Sequence, residues 1–470
     1  MIRTLVALLA FALSQTAADA EENIVTLADP LFHSAGSWGQ DEDDQWALKA
    51  IGMSDPEAIW ESLGARPEPI IVAMIDSGLD WTHADIDPSQ LWTNPGEIAA
   101  NGIDDDGNGF VDDLIGWDFV RAGNRPWDYD GHGTVTAGII MATPDNGVGI
   151  TGVNPNARIM VLRALDSFGL TRPSFVAAAI NYAVDNGARI INLSVGGTGD
   201  PEITRTALDY AQANGVLVVV AAGNEASDLV DYAMVEHPAV ITVAATNQNG
   251  ERANFSNWGG PVSIAAPGVD ILSLRARGTD TLRNLSDEYV AGSAYVGSDN
   301  RYYVATGTSF SAPLVTGAAS LLLSRDPDLS AEQVKRLLLQ SARDIGAPGL
   351  DQFSGFGELD ISSALSADAQ AFTEANITSV QVVQRNGQPA VNVLGTARSD
   401  ALESYEIALG AGSTPSTWNA VAMESSNVME GVLATIAASQ FSGSPVWIIR
   451  LTVKRQDGTE RSAQYQLNLG

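Results

Sequence analysis

The sequence lacks cysteine altogether, so none of its 470 residues can form a disulfide or supply a thiolate. Cysteine nucleophiles and thiolate metal sites are therefore excluded, although an exported protein could have used disulfides. Stability must come from the size of the hydrophobic core, with bound metal ions as a further source. Histidine is also scarce, with four residues, and a lone histidine more often has a structural role than a catalytic one.

Basic residues are few as well. The chain carries 57 acidic and 25 basic residues, which gives a formal net charge of -32. A surface of this sign repels the phosphate backbone, so the composition argues against a nucleic-acid partner. Two compatible interpretations of the acidic excess remain open, namely surface solubility and cation binding by some of the carboxylates.

Beyond the first 20 residues, no apolar stretch is long enough to cross a membrane. Residues 1–20 contain Arg3, the apolar run Leu5–Leu13 and the small-residue site Ala18-Asp19-Ala20. This pattern is typical of a secretory signal peptide, and the apolar run is too short for the alternative, a membrane anchor. We therefore predict a soluble protein that is secreted, to the extracellular space or to the periplasm.

The length of the chain suits more than one domain, and two patterns follow each other along it. Residues 45–368 alternate short β-branched apolar runs with helix-like segments, several of which end in glycine. Runs that are apolar on both faces are typical of buried parallel strands, so this region is predicted to be an α/β domain. The strand candidates are Ile70–Ile75, Arg158–Leu162, Ile190–Leu193 and Val216–Ala221, and the helix candidates are Pro173–Asn186 and Ile203–Asn214.

Residues 372–470 show strand-like runs separated by Gly, Asn, Ser and Asp. Asn386-Gly387 and Asp457-Gly458 lie between pairs of strand candidates, and both dipeptides favour tight hairpin turns. This region is therefore predicted to be a separate antiparallel β-sandwich. Between the signal peptide and the α/β domain, residues 21–44 remain as an N-terminal extension.

Three short motifs occur in the order Asp, His, Ser. They are Asp76-Ser77-Gly78 directly after the first strand candidate, Gly131-His132-Gly133-Thr134, and Gly307-Thr308-Ser309-Phe310-Ser311-Ala312-Pro313. In this order the chain closely resembles the subtilisin-like serine proteases. The resemblance covers about residues 45–365 and includes three more segments, INLSVGG at 191–197, AAGNE at 221–225 and AAPG at 265–268.

The resemblance implies a serine endopeptidase with a parallel-sheet, subtilisin-like α/β domain and a C-terminal antiparallel β-sandwich. It assigns Asp76, His132 and Ser309 to a catalytic triad. A serine hydroxyl needs a neighbouring base to become a nucleophile, and the base needs an acid to hold its tautomer. Separately, Asp76 could shape a turn and Ser309 could cap a helix, and only the joint match favours catalysis.

By the same resemblance, the side chain of Asn224 and the backbone N–H of Ser309 form the oxyanion hole. The segment Leu193–Gly196 is expected to be an edge strand that pairs with an extended peptide substrate. The predicted substrate-binding residues are Ser194, Val195, Gly196 and Gly223. Glu225 beside Asn224 either favours basic substrate side chains or is a solvated carboxylate at the rim.

An acidic insertion between the Asp and His motifs predicts a calcium site. Asp104, Asp106 and Asn108 fall at positions one, three and five of an EF-hand-like loop, with Gly109 at the turn and Asp112 at position nine. Ile115 takes the position of the usual Glu, so Asp113 is the expected substitute. The alternative is a solvated acidic turn.

A second calcium site follows from the resemblance alone. The loop at 145–150, DNGVGI, is similar to a calcium loop of the family, which makes Asn146 a ligand. Asp85 is the corresponding carboxylate, although Ala84 replaces the proline that the family has before it. The alternative for Asn146-Gly147 is an ordinary turn.

The segment Asp29–Gly52 resembles the start of mature subtilisin-like domains, which leaves little room for a folding propeptide. We therefore expect cation binding or another factor to support folding. The expected substrates are polypeptides, cleaved either broadly or at one processing site. The alternative class of function is a catalytically silent scaffold built on the same fold. The sandwich is expected to bind substrate, attach to a surface or add stability.

Overall fold

A computed structural model describes residues 27–64, 69–195, 201–229, 232, 234–279, 295–297, 299–347 and 349–469. The predicted signal peptide lies outside these residues. Within the described part of the chain, no helix combines the length and apolar character that a membrane crossing requires.

A parallel sheet forms the centre of the N-terminal region, and its strand order is β2-β3-β1-β4-β5-β6-β7. Strands β3 to β7 are almost entirely buried and rich in β-branched residues, as expected for a parallel sheet covered on both faces. The predicted α/β class is confirmed. The strands are β1 Ile70–Asp76, β2 Gly116–Asp118, β3 Ala157–Arg163, β4 Ile190–Leu193, β5 Leu217–Ala221, β6 Val240–Thr246 and β7 Ile264–Pro267.

Helices cover both faces of this sheet. One core cluster joins residues of α4 and α7 to one face of the sheet, and a second joins residues of α5 and α6 to the other. The helices are α1 Pro30–His33, α2 Trp46–Ala50, α3 Pro56–Ser62, α4 His132–Met141, α5 Pro173–Asp185, α6 Pro201–Ala213, α7 Thr308–Arg325, α8 Ala331–Ser341 and α9 Ile361–Ser366. The two central helices, α4 and α7, begin at the sequence motifs that contain His132 and Ser309.

A small antiparallel sheet of order β8-β10-β9 lies between β7 and α7 in the chain. Its strands are β8 Ile271–Leu274, β9 Tyr295–Val296 and β10 Tyr302–Ala305. Strand β8 packs on α4, where a side chain at Gly138 would approach the side chain of Leu274 to 2.5 Å. The small sheet therefore supports the helix that begins at His132.

The C-terminal region has two antiparallel sheets of order β11-β12-β15 and β14-β13-β16-β17 around one hydrophobic cluster. The predicted hairpins are confirmed, and Asn386 and Gly387 both have the positive φ that a type I′ turn requires. The strands are β11 Thr373–Arg385, β12 Gln388–Ser399, β13 Leu402–Ala411, β14 Asn419–Glu424, β15 Val428–Ala437, β16 Val446–Arg455 and β17 Glu460–Asn468.

The start of β17 docks on the α/β region. The guanidinium of Arg461 donates to the carbonyl oxygen of Leu339 at 2.9 Å, near the end of α8, and its charge lies over the ring of Phe356. The backbone N–H of Leu350 donates to the carbonyl oxygen of Ser462 at 3.2 Å. A cation at a helix C-terminus interacts favourably with the helix dipole, so Arg461 holds the sandwich against α8.

The described part of the N-terminal extension packs into the α/β region. Leu27 and Phe32 belong to the same hydrophobic cluster as the central helices, and the N–H of Leu31 donates to the carbonyl oxygen of Gly149 at 2.8 Å. A boundary at residue 45 therefore divides one core, and residues 27–44 are structurally part of the α/β region.

Candidate active site

Asp76 and His132 meet at the carboxyl end of the parallel sheet. Asp76 is the last residue of β1 and His132 the first of α4, and the Nδ1 atom of His132 lies 2.7 Å from a carboxylate oxygen of Asp76. The Asp76 carboxylate also accepts from the N–H of Ser77 at 2.7 Å and from the hydroxyl of Thr136 at 3.1 Å. These bonds fix the carboxylate, which in turn fixes the orientation of the imidazole.

The two residues are buried, so their charges interact strongly. Burial by itself would lower the pKa of the His132 imidazole, but the charge and hydrogen bond of Asp76, followed by Asp130 and Asp128, raise that pKa above its ordinary value. The imidazolium that forms when His132 takes a proton is therefore stabilised by its surroundings.

Ser309 is the second residue of α7, and the residue after it, Phe310, lies near His132. The neighbouring ring of Phe310 is 5.4 Å from the imidazole, centroid to centroid. The Ser309 hydroxyl donates to the carbonyl oxygen of Ser194 at 3.0 Å rather than to His132. Catalytic hydrogen bonds are often formed only once substrate is bound, so this orientation is compatible with a reactive hydroxyl that rotates towards the imidazole.

Asp128 joins the segments that contain Asp76 and His132, and no sequence motif had pointed to it. Its fully buried carboxylate accepts from the hydroxyl of Ser77 at 2.8 Å, the N–H of Gly131 at 2.7 Å and the N–H of Thr134 at 2.9 Å. Ser77 follows β1, and Thr134 belongs to α4. The Asp128 side chain therefore connects the strand end that carries Asp76 to the helix start that carries His132.

Asn224 lies beside the start of α7, on the loop that follows β5. Its side-chain carbonyl oxygen accepts from the N–H of Thr308 at 2.9 Å and from the hydroxyl of Thr308 at 3.0 Å. Because the carbonyl side of the amide is bound in this way, its NH2 group is left for another acceptor. The adjoining Gly223 adopts φ +98° and donates its N–H to the same threonine hydroxyl.

The predicted substrate-pairing segment differs in part from the expectation. Leu193 is the last residue of β4, which pairs with β1 on one side and β5 on the other, so Leu193 is central and cannot belong to an edge strand. Ser194 follows the strand, and its hydroxyl donates to the carbonyl oxygen of Ser309 at 2.9 Å. Val195 is half-buried beyond it, and Gly196 lies outside the described residues.

The comparisons with known proteins show the family. Residues 68–357 match the model of the subtilase family, Peptidase S8, which is more than half of the chain. The chain belongs to the subtilase family. The family membership expected from the motifs is thus confirmed.

Several named proteases resemble this subtilase. Fervidolysin of Fervidobacterium pennivorans is 34% identical over 75% of this chain, and thermitase of Thermoactinomyces vulgaris is 32% identical over 68% of this chain and 93% of thermitase. A solved protease structure from Pseudoalteromonas arctica is 26% identical and has a TM-score of 0.55, covering 73% of this chain and 99% of its own. The subtilase spans about half the length of several curated relatives, 48% in the case of fervidolysin.

The acidic insertion of this subtilase brings three carboxylates together. Glu97, Asp106 and Asp113 each offer an oxygen within 4.8 Å of the others. The amide nitrogen of Asn94 donates to Asp106 and Asp113, at 2.9 Å in each case, and that of Asn108 donates to the same two residues, at 3.1 Å in each case. Carboxylates held this close by neutral amides suit a hard divalent cation.

Asp104 and Asp112 of the expected EF-hand-like register lie outside this group of three carboxylates. Asp104 accepts from the backbone N–H groups of Gly107 and Gly109, and Asp112 from those of Asn101 and Gly102. Acidic side chains commonly bond to the backbone nearby in this way, and both oxygens of Glu97 do so as well, with the N–H groups of Asp105 and Asp112. The expectation that Asp104 and Asp112 are ligands therefore stays a prediction. Glu97, which precedes the insertion motif, is a member of this group that the sequence analysis did not name.

The second predicted calcium residues lie together. The amide nitrogen of Asn146 donates to the Asp85 carboxylate at 2.7 Å, and the other Asp85 oxygen accepts from the N–H of Ile150 at 3.0 Å. Asp29, which the sequence analysis did not name, accepts from the N–H groups of residues 145 and 146. Burial raises the pKa of Asp85 to about 7 and also raises that of Asp29, the cost that a bound cation would relieve.

Proposed function

We propose that the protein is a secreted serine endopeptidase with Asp76, His132 and Ser309 as its catalytic triad. The observation that carries this proposal is the 2.7 Å contact between Asp76 and the Nδ1 atom of His132, with Ser309 at the start of the adjoining helix. Because Nδ1 is held by the carboxylate, the Nε2 atom of His132 is free to act on a substrate-side proton.

The mechanism follows from these positions. Nε2 takes the hydroxyl proton of Ser309 as the serine oxygen attacks the carbonyl carbon of the peptide bond. The carbonyl oxygen becomes an oxyanion that accepts from the amide of Asn224 and the N–H of Ser309. His132 then gives the proton to the leaving amine, and a water molecule releases the acyl group by the same steps in reverse order.

The substrate is proposed to be a polypeptide in extended form, bound by Ser194, Val195, Gly196 and Gly223. The carboxylate of Glu225 already accepts from the N–H of Asn224 at 3.0 Å and the amide of Asn257 at 2.7 Å. These contacts favour a structural role for Glu225 over recognition of basic side chains.

A fluorophosphonate probe tests the proposed function directly. We expect the calcium-loaded protein to be labelled stoichiometrically on the peptide that contains Ser309, because only a serine next to a competent base reacts readily. The same preparation should hydrolyse unfolded casein. Labelling without casein hydrolysis, but with cleavage of one defined peptide, would favour a processing peptidase, and an unlabelled folded protein would favour a silent scaffold.

We also propose calcium at two sites, the first formed by Glu97, Asp106 and Asp113, and the second by Asp29, Asp85 and Asn146. The first set rests on three converging carboxylates and the second on two carboxylates that are fully buried. Bound calcium would neutralise these acids, so its effect would be on stability and not on the chemical step.

Thermal unfolding at a series of calcium concentrations tests the first site. We expect Glu97→Gln to weaken the calcium dependence of the melting temperature, with an apparent Kd higher by about tenfold, because one ligand charge is lost. Asp105→Asn is the matched control, since Asp105 lies in the same insertion but accepts from the N–H of Ile98 and the amide of Asn101. An equal response of both variants would remove the assignment.

The domain bounds are proposed as residues 1–20 for a signal peptide, 21–44 for an N-terminal extension, 45–368 for the catalytic domain and 372–470 for the sandwich, with residues 27–44 packed on the catalytic core. Among the roles considered for the sandwich, the contact of Arg461 with the end of α8 supports stabilisation of the catalytic domain. Substrate binding or surface attachment by its outer faces remains compatible with that contact. The net charge of -32 supports a function without a nucleic-acid partner.

A further inference from the structure

One buried amide lies beneath the loop that contains Asn224. The side chain of Asn257 is completely buried, and its carbonyl oxygen accepts from the N–H groups of Glu225 at 3.0 Å and Ser227 at 2.9 Å. Its amide nitrogen donates to the carbonyl oxygen of Ala222 at 3.0 Å. The Asn257 side chain thus binds the main chain on both sides of Asn224, at Ala222 before it and at Glu225 and Ser227 after it.

The same amide also orients a carboxylate that holds Asn224 itself. The nitrogen of Asn257 donates to the Glu225 carboxylate at 2.7 Å, and the same carboxylate oxygen accepts from the backbone N–H of Asn224 at 3.0 Å. The hydroxyl of Tyr232 donates to that oxygen as well, at 3.2 Å. The main chain of Asn224 is therefore fixed through Glu225, and Glu225 is fixed through Asn257.

The loop is shaped to fit over this side chain. A side-chain carbon at Gly223 would lie 2.5 Å from the Asn257 nitrogen, and Gly223 has φ +98°, which disfavours any other residue. The N–H of Asn257 donates in turn to the carbonyl oxygen of Gly223 at 2.9 Å. The glycine, the loop and the buried amide thus form one close-packed unit.

We propose that Asn257 is a positioning residue that fixes Asn224 for stabilisation of the oxyanion, an inference that rests on the proposed function. Asn224 is held from two sides, by Thr308 at its side chain and by the Asn257 network at its main chain. An oxyanion donor is effective only when it is held where the charge develops, and displacements of about 1 Å can cost about 10² in rate. The amide of Asn257 prevents such a displacement.

Asn257→Asp tests the inference with almost no change of shape. It places an acceptor where the amide nitrogen donates to Ala222 and Glu225, so the loop is expected to shift. We expect kcat to fall by about 10-fold to 100-fold with little change in KM, since Asn257 touches the loop and not the substrate. The concentration of competent enzyme is set by titration with the fluorophosphonate probe.

A double-mutant cycle with Asn224→Ala separates positioning from a general loss of structure. If Asn257 acts through Asn224, Asn257→Asp should lower kcat less than about twofold further in the Asn224→Ala background. If the Asn257→Asp variant fails to fold, Asn257→Ser, which introduces a smaller and uncharged side chain, should give the same pattern. Asn154→Asp is the matched control, because Asn154 is equally buried but donates to Ser320 and Ser324, far along α7 from Ser309.

The outcomes distinguish the two levels of the argument. If Asn224→Ala leaves kcat unchanged, the proposed oxyanion role of Asn224 fails, and with it this part of the proposed function. Suppose that Asn224→Ala lowers kcat. The positioning role is then overturned if Asn257→Asp lowers kcat by the same factor in the Asn224→Ala background as in the wild type. It is also overturned if Asn257→Asp changes kcat no more than the control Asn154→Asp does. A loss with Asn257→Asp that disappears in the double variant supports it.

Discussion

Ser309→Ala is expected to lower kcat by about 10⁶-fold, a magnitude taken from subtilisin itself, which belongs to the same family. The hydroxyl is the proposed nucleophile, and the neighbouring hydroxyls of Thr308 and Ser311 already donate to Asn224 and Pro267. His132→Ala is expected to cost nearly as much, because without the base the hydroxyl is a poor nucleophile at neutral pH. The kcat of the double variant should therefore be within about tenfold of the kcat of either single variant.

Hydrolysis of a chromogenic peptide by the two single variants and the double variant measures this directly. Ser311→Ala is the control, since Ser311 is two residues further along α7 and its hydroxyl donates to the carbonyl oxygen of Pro267 at 3.0 Å. It should retain kcat within about threefold. Losses for Ser309 and His132 that multiply in the double variant would show two independent contributions and contradict a shared proton transfer.

Much of the active-site layout could be predicted because it depends on local sequence. Asp76 ends a strand of β-branched residues, and His132 and Ser309 begin helices after glycine. The carboxyl ends of parallel strands meet at one edge of the sheet, so residues at those ends come together once the sheet forms. The tight approach at Gly133, where a side chain would lie 2.2 Å from the carbonyl oxygen of Gly78, likewise agrees with the glycines of the motifs.

The supporting residues could not be predicted, because their partners are distant in sequence. Asn257 binds a loop more than 30 residues before it, and Asp128 binds Ser77 51 residues before it. Neither residue stands in a pattern with its partners, and an isolated Asn or Asp in a sequence is most often a turn residue. Their roles follow only from the packing of separate segments.

The acidic insertion shows the same limit in a different way. Its spacing predicted alternating ligands around one ion, and the structure shows that Asp104 and Asp112 accept from backbone N–H groups within the insertion. Glu97 takes a place beside Asp106 and Asp113 although it precedes the motif. Because Glu97 also accepts from backbone N–H groups, neither spacing nor such bonds separate a carboxylate that shapes a turn from one that would bind a cation.

Asp76→Asn is expected to lower kcat by about 10⁴-fold while leaving the geometry of the pair nearly intact. An amide at this position can donate to Nδ1 of His132 and so favours the tautomer in which Nε2 carries the proton and cannot accept another. The substitution also removes the largest charge that raises the pKa of the imidazole. The pKa of His132 should therefore fall in the variant.

The second effect, the lower pKa of His132, should be visible in the dependence of kcat/KM on pH. His132 must be neutral to act as a base, so activity is lost as pH falls through its pKa, and a lower pKa moves the acid limb of the profile to lower pH. Asp130→Asn is the matched control, because Asp130 raises the same pKa and its carboxylate accepts from the backbone N–H of His132 at 3.2 Å. It should shift the acid limb by a smaller amount and keep the plateau within a few-fold. A plateau loss of similar size in both variants would mean that general negative charge, and not the bond from Asp76 to Nδ1, is what the reaction requires.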